Sequence, residues 1–246
     1  MKTKIKLFLK ENGRYAFASF LIPFLILALV YLSIGIYPGS SRSILASDAF
    51  SQFSNFHASF RNMLLGKQSI FYTWNASLGL NYLSLISYYL GGLFTPLVLL
   101  FPNNMMPDAL YFLTLLKVGF AGLSFWILAR TYKIPRWGQV ALSVSYASIS
   151  FITAHSEIIM WLDAFIYLPL IILGIHRVMD YKRPTLLFVS YLLLFLSSFY
   201  MGFMIGIFSF LYFMARLFTK WSLYKKSIVP YGITSLLAGG ASMIII

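Results

Sequence analysis

The sequence predicts an all-α membrane protein that crosses the bilayer about seven times. Three observations support this fold class. Of the 246 residues, 60% are hydrophobic and only 10% are charged, whereas soluble domains carry roughly 25% charged residues. Apolar runs near the ~20 residues that a spanning helix needs recur along the chain. Basic residues gather between alternate runs, as the positive-inside rule requires.

The first element is a basic N-terminus followed by a retained span. Five of the first 14 residues are Lys or Arg, and an uninterrupted apolar run covers 15–37. This run is too long for the core of a signal peptide, and no small-residue cleavage box follows it. We therefore expect a cytoplasmic segment at 1–14, with one transmembrane domain occupying 15–246.

Charge then selects the spans among eight apolar candidates. If the run at 84–101 stays out of the membrane core, 15 of the 19 basic residues fall on the cytoplasmic side and three fall outside. Gly91, Gly92 and Pro96 interrupt helix propagation in that run, which agrees with an interfacial or re-entrant segment. The remaining candidates are the seven expected spans, at 15–37, 108–130, 138–154, 162–178, 184–200, 202–218 and 228–246.

Composition and motifs exclude several functions. The net charge of +13 reports topology and contact with anionic lipid, so we expect membrane lipids as partners and no nucleic acid. The absence of cysteine removes disulfides, thiolate zinc sites and Cys nucleophiles. Phosphate loops, His-Glu-x-x-His and Gly-x-Ser-x-Gly motifs are also missing from the sequence, so ATPase, zincin and hydrolase-elbow functions have no support.

The first outer loop, 38–107, is long enough to be functional. Asp48 precedes a segment, 49–65, whose aromatic residues recur at helical spacing and predict an amphipathic helix on the membrane surface. Asp48 either caps that helix or takes part in chemistry. Tyr72, Trp74 and Asn81 follow in the same loop, and they form either a sugar-binding surface or part of an interfacial aromatic belt.

A second outer loop carries four further candidates: His155, Glu157, Trp161 and Asp163. Asp163 could serve structurally, since an acid near a helix N-terminus gains from the helix dipole. Alternatively it is functional, because an ionisable group at the rim of an apolar span is costly. We expect Asp48 and Asp163 to converge on one outward-facing cavity.

Between about residues 48 and 218 the sequence resembles the YfhO family of bacterial membrane proteins, which looks like a branch of the GT-C glycosyltransferases. The resemblance implies a GT-C-like helical bundle that transfers a sugar from a polyprenyl-phosphate carrier to a cell-surface polymer such as a teichoic acid. Family members are much longer, so it also implies a chain truncated at its C-terminus, part of whose active site lies in missing spans. The matching segments are 47–48, 52–53, 61–66, 69–74, 78–81, 88–90, 116–124, 159–164, 168–175 and 198–202.

The resemblance also implies residue roles. Asp48 would be the acid of the first outer loop, acting as general base or helping to hold a divalent cation. The leaving phosphate needs cationic partners, for which Arg61, Lys67 and Lys117 are the candidates on or near the outer side. Lys117 lies within a span, where an unpaired ammonium is costly, so we expect it to face the cavity.

Two other functions stay open. A transporter or flippase for a lipid-linked sugar would also use outer acids beside a membrane cavity, although no convincing repeat of the first half is found. A non-catalytic membrane scaffold is the third possibility. In each case we expect a multi-pass protein of the bacterial plasma membrane.

Overall fold

The computed structural model describes residues 2–76 and 78–243, with side chains from residue 11 onward. Side chains of the basic N-terminus up to Lys10, and the last three residues of the predicted seventh span, lie outside the described residues. The described residues form helices joined by turns and loops, with one two-stranded hairpin. The prediction of an all-α polytopic membrane protein is confirmed.

Within the described part, four helices are long and apolar enough to cross a membrane. They are α1 (Lys2–Ser33), α4 (Met106–Ala129), α7 (Ile159–Tyr181) and α9 (Phe199–Thr219). The other predicted spans contain shorter helices: α5 (Arg136–Ala147) with α6 (Ser150–Ala154), α8 (Thr185–Ser197), and α11 (Ile228–Ser242), which follows the short α10 (Trp221–Tyr224).

The centre of the bundle is the pair α4 and α7. Helix α4 also packs against α1 and α5, whereas α7 packs against α8 and α9, and α11 lies on α8. Small residues allow these close approaches, as is common between membrane helices. At Gly174 in α7, a Cβ atom would lie 2.8 Å from the Leu187 Cα atom of α8. The backbones of α7 and α8 therefore touch at this point.

We expect Gly174→Ala to lower the stability of the protein by about 1–3 kcal/mol, the usual cost of overpacking. The methyl group would meet backbone atoms, which cannot rotate away. Gly206→Ala in α9 is the matched control, because no atom lies within 4 Å of its Cβ position. Thermal unfolding in detergent would measure both, and equal midpoints for the two variants would contradict the α7–α8 packing.

The predicted first outer loop, 38–107, folds into a layer over one end of the bundle, which we call the outer layer. A π-helical turn, Ala49–Phe53, leads into α2 (Ser54–Leu64), and a hairpin pairs β1 (Tyr72–Thr73) with β2 (Leu80–Asn81) in antiparallel register. The remaining pieces are α3 (Tyr82–Leu85), a π-helical turn (Ile86–Leu90), and 3₁₀ helices at Thr95–Leu100 and Asn103–Met105.

The apolar run at 84–101 is thus broken into short pieces. Leu85, Leu90 and Val98 are buried, and their segments pack against α2, α4, α7, α8 and α9. Gly91 and Gly92 stand between the pieces, where helical hydrogen bonding stops. No continuous helix that could span a bilayer forms over 84–101.

The predicted outer acids and the basic loops lie at opposite ends of the bundle. At one end the guanidinium of Arg136 donates to the Glu11 carbonyl, and Arg216 pairs with Asp180. Tyr31 near the far end of α1 donates to Ser156, which places Glu157 at the other end. The predicted outer acids therefore share one end, which we call the acidic end. The other is the basic end.

Candidate functional site

Asp48 lies exposed at the start of the outer layer. The preceding Ser47 has a φ of +50°, a left-handed conformation that is unusual for a residue other than glycine. The Asp48 side chain makes no capping hydrogen bond to the following π-helical turn. Its Oδ1 atom instead accepts a hydrogen bond from Gln52 Nε2 at 3.1 Å. The carboxylate is therefore held by a side chain and still faces solvent.

Gln52 links Asp48 to the broken segment 84–101. The Tyr89 hydroxyl donates to Gln52 Oε1 at 2.9 Å, across 37 positions of sequence. Burial raises the pKa of Tyr89, and the neighbouring Tyr88 and Asp48 raise it further. The phenol thus stays protonated at neutral pH and acts as the donor. A hydrogen-bonded chain, Tyr89 to Gln52 to Asp48, orients the carboxylate.

Glu157 shares a small cavity with Asp48. The cavity has a volume of about 60 Å³, and Ala46, Phe53 and Ile158 complete most of its wall. Across residues 11–76 and 78–243, no group of three or more His, Asp or Glu side chains is placed to hold a metal ion. Asp48 and Glu157 are two carboxylates on one wall, and Mg²⁺ is often bound by one or two carboxylates plus substrate phosphate and water.

Asp163 does not join that cavity. Its Oδ2 atom lies 2.6 Å from Lys117 Nζ, and the two side chains are only 1% and 2% exposed. Lys117 also donates to the Ile159 carbonyl at 3.0 Å. The expectation that Asp48 and Asp163 converge was wrong, because α7 turns Asp163 toward α4 and into the bundle. Lys117 faces this carboxylate and not the cavity that Asp48 and Glu157 line.

The broken segment covers this ion pair. A Cβ atom at Gly92 would lie 2.7 Å from Asp163 Oδ2 and 3.1 Å from Thr95 Oγ1. The second carboxylate oxygen, Oδ1, is buried without a hydrogen-bond partner. The absence of a side chain at Gly92 therefore lets segment 84–101 seal the Lys117–Asp163 pair from the acidic end.

An aromatic surface lies beside Asp48, built from Tyr88, Tyr89, Trp161, Phe199 and Tyr200. Trp161 stacks on Tyr200 with 6.1 Å between ring centroids, and Tyr88 contacts Tyr89, Phe199 and Tyr200 at 4.6–6.5 Å. His155 lies edge-on to Trp161 at 5.7 Å. The aromatic surface thus joins the second predicted outer loop, the broken segment and the start of α9.

Sequence reasoning singled out Trp161 and His155 but missed Gln52, Tyr89 and Tyr200 as site residues. All three belong to segments that carry the family resemblance, which was the available signal. The sequence does not show that these residues lie close together in space. Trp161 and Tyr200, for example, meet only because α7 packs beside α9.

The other predicted sugar-binding residues lie on the hairpin. Trp74 is 78% exposed, and its ring contacts Tyr72 edge-on at 4.9 Å. The Asn81 side chain accepts from the Leu83 amide at 3.0 Å and so caps α3. No hydrogen bond joins these residues to Asp48 within the described ranges. They form a separate exposed patch whose role in sugar binding stays a prediction.

The predicted phosphate-binding cations are not brought together either. Lys67 is exposed, and Arg61 is half-buried with its Nε atom lacking a partner. Lys117 is neutralised by Asp163. Of the three, Arg61 and Lys67 are the basic side chains that keep an uncompensated charge in the outer layer.

The buried His57 side chain is expected to make the stability of the outer layer depend on pH. The imidazole is buried under α2 and its Nδ1 atom bonds the Phe53 carbonyl at 2.7 Å. Burial lowers its pKa from 6.5 to about 4, and the positive charge of Lys117 adds to this. Between those values the unfolded chain binds a proton that the folded protein does not, so stability falls as pH falls.

We expect the wild type to lose about 1.4 kcal/mol of stability per pH unit from pH 6.5 down to 4, relative to His57→Asn. Asn keeps a donor near the Phe53 carbonyl but cannot titrate. Unfolding midpoints measured across this range for both proteins would test the effect. Parallel pH profiles would show that His57 is not buried in neutral form.

Comparison with known protein families identifies a match over most of the chain. The model of a family described as bacterial membrane protein YfhO matches residues 19–246. No curated protein and no solved structure matches the chain.

Proposed function

The chain belongs to the YfhO family of bacterial membrane proteins, and from this membership we propose that it is a membrane glycosyltransferase. It would transfer a sugar from a polyprenyl-phosphate carrier to a cell-envelope polymer of the teichoic-acid type. The observation that carries the proposal is the solvent-facing Asp48 carboxylate, oriented by Gln52 and Tyr89 beside an aromatic surface. We place this acidic end on the outer face of the plasma membrane and the N-terminus in the cytoplasm.

The chemistry requires one base. An acceptor hydroxyl oxygen forms a bond to the anomeric carbon while the bond from that carbon to the carrier phosphate breaks, and the phosphate keeps the electron pair. Asp48 accepts the hydroxyl proton. The Gln52 amide donates to Asp48 Oδ1. The other carboxylate oxygen, Oδ2, therefore stays free to accept this proton.

The aromatic surface suits the sugar. Aromatic rings stack on the apolar C–H face of a pyranose, and the neighbouring polar groups bind its hydroxyls. Tyr200 is 39% exposed and presents such a ring, and the half-buried Trp161 lies behind it next to His155. Arg61 and Lys67 supply positive charge for the carrier phosphate, whereas Lys117 would reach it only by exchanging Asp163 for the phosphate.

A divalent cation would be held by Asp48 and Glu157, which line one cavity. When bound, it would offset negative charge on the leaving phosphate. Asp48 would then have to serve either the cation or the acceptor proton at a given moment, and Glu157 would provide the second carboxylate.

A transporter of lipid-linked sugar is the second candidate. The observation that favours it is the Lys117–Asp163 pair inside the bundle, because ionisable groups within the membrane often mark a translocation or proton pathway.

One experiment separates the candidates. Membranes containing the protein would be supplied with labelled sugar on a polyprenyl-phosphate carrier, with and without a polyol-phosphate polymer. Label on the polymer would support the glycosyltransferase. Carrier that changes leaflet without labelling any polymer would support the transporter, and the absence of both activities would support the scaffold. Membranes from cells lacking the protein are the control.

A further inference from the structure

A second polar cavity lies at the basic end, remote from the site described above. Its volume is about 450 Å³, within the range of small-ligand pockets. The end of α7 forms one wall, with α9 and the turn after α4 opposite. The lining residues are Thr131, Tyr132, Leu173, His176, Arg177, Asp180, Tyr181 and Arg216.

The one carboxylate lining this cavity is already neutralised. Both oxygens of Asp180 accept hydrogen bonds from Arg216 Nη2, at 2.9 and 2.7 Å. The Tyr224 hydroxyl donates to Asp180 Oδ1 at 2.9 Å. Asp180 therefore has little capacity left to repel an anion or to bind a cation.

Positive charge remains on the wall. No carboxylate lies within ion-pair distance of Arg177 in the described part of the chain. The Nη1 atom of Arg216 is also without a hydrogen-bond partner. Arg177 is exposed and lines the cavity, so its guanidinium is available to a ligand.

The rest of the wall consists of Leu173 and polar side chains. The imidazole of His176 is held by the Tyr212 hydroxyl at 2.6 Å, and the Tyr132 ring lies edge-on to it at 6.2 Å. Tyr181 is 70% exposed at the rim. Tyrosines at this position are typical of the headgroup level of a membrane.

We propose that this cavity binds the phosphate group of an anionic lipid headgroup from the adjacent leaflet. Arg177 would bind the phosphate oxygens through its fork of N–H groups, which matches phosphate geometry. Arg216, oriented by Asp180 and Tyr224, adds positive charge behind it. The cavity lies at the end of the bundle that carries the basic loops, and such loops attract anionic lipid.

The test uses the purified full chain in neutral detergent, titrated with phosphatidylglycerol, phosphatidylcholine or inorganic phosphate. Native mass spectrometry would count bound lipid, and thermal unfolding would report stabilisation. We expect phosphatidylglycerol to bind and stabilise more than phosphatidylcholine. Arg177→Gln should weaken phosphatidylglycerol binding at least about tenfold, the effect of losing charge-assisted hydrogen bonds.

Two further variants make the result specific. Asp180→Asn combined with Arg216→Gln removes both partners of this ion pair together, so no charge is left unpaired, and it should also weaken binding. Arg183→Gln removes an exposed positive charge from the same end, outside the cavity, and should bind as the wild type does. If Arg177→Gln and Arg183→Gln weaken phosphatidylglycerol binding equally, the cavity is not the binding site. Stabilisation by inorganic phosphate with no response to phosphatidylglycerol would contradict the proposal that the ligand is a lipid.

Discussion

Asp48→Asn is expected to lower the rate of sugar transfer by about 10²- to 10⁴-fold, the usual contribution of a general base. The amide can still accept from Gln52 but cannot take the acceptor proton. Because Asp48 is exposed and makes a single side-chain hydrogen bond, its loss should leave expression and thermal stability unchanged. The measurement is transfer of labelled sugar from the lipid-phosphate carrier to polymer, in cells lacking their own copy.

Asp108→Asn is the matched control for Asp48→Asn. Asp108 is another carboxylate of the acidic end, and its Oδ1 atom accepts from the Gly39 amide at 3.1 Å, a bond that asparagine can keep. This variant should transfer sugar at the wild-type rate. Normal transfer by Asp48→Asn would place the base elsewhere, and Glu157, on the same cavity wall, would be tested next.

Breaking the buried ion pair is expected to have the largest effect on stability. Lys117→Met or Asp163→Leu alone leaves one charge buried without its partner, which costs about 3–5 kcal/mol. The double variant removes both charges and should recover most of the loss, since apolar side chains can replace a buried pair at little cost. Unfolding in detergent would measure all three proteins.

The exposed Lys67→Met serves as the control and should cost little, because an exposed charge carries almost no folding energy. A double variant as unstable as the sum of its singles would contradict the direct pairing of Lys117 with Asp163. The same double variant also tests function. Normal sugar transfer would show that the pair is structural, and lost transfer at normal stability would support a role for Lys117 at the carrier phosphate.

Much of the fold could be predicted because it depends on local properties. Span length, apolar composition and the distribution of Lys and Arg are readable along the chain. Gly91, Gly92 and Pro96 also act locally, which is why segment 84–101 could be expected not to cross. Helix length within the bundle was less predictable, since α5 and α6 are separated by a break at 148–149 that the hydropathy pattern does not show.

The candidate site was predicted only in its parts. Asp48 and Glu157 were both chosen as acids of the outer side, and they do line one cavity. Asp163 was chosen on the same grounds but pairs with Lys117, 46 positions away in sequence. The sequence could show that each charge in a span needs a partner. It could not show which partner, because helix rotation and packing decide that.

By itself, the sequence determined the membrane class, the failure of segment 84–101 to form a spanning helix, and the enrichment of acids on the side away from the basic loops. Each of these depends on the transfer of individual residues between water and lipid. The tertiary structure alone decided that Gln52 joins Tyr89 to Asp48, that Trp161 meets Tyr200, and that segment 84–101 seals the Lys117–Asp163 pair. These contacts join distant parts of the chain. Their geometry follows from how the helices rotate and approach one another at positions such as Gly92 and Gly174.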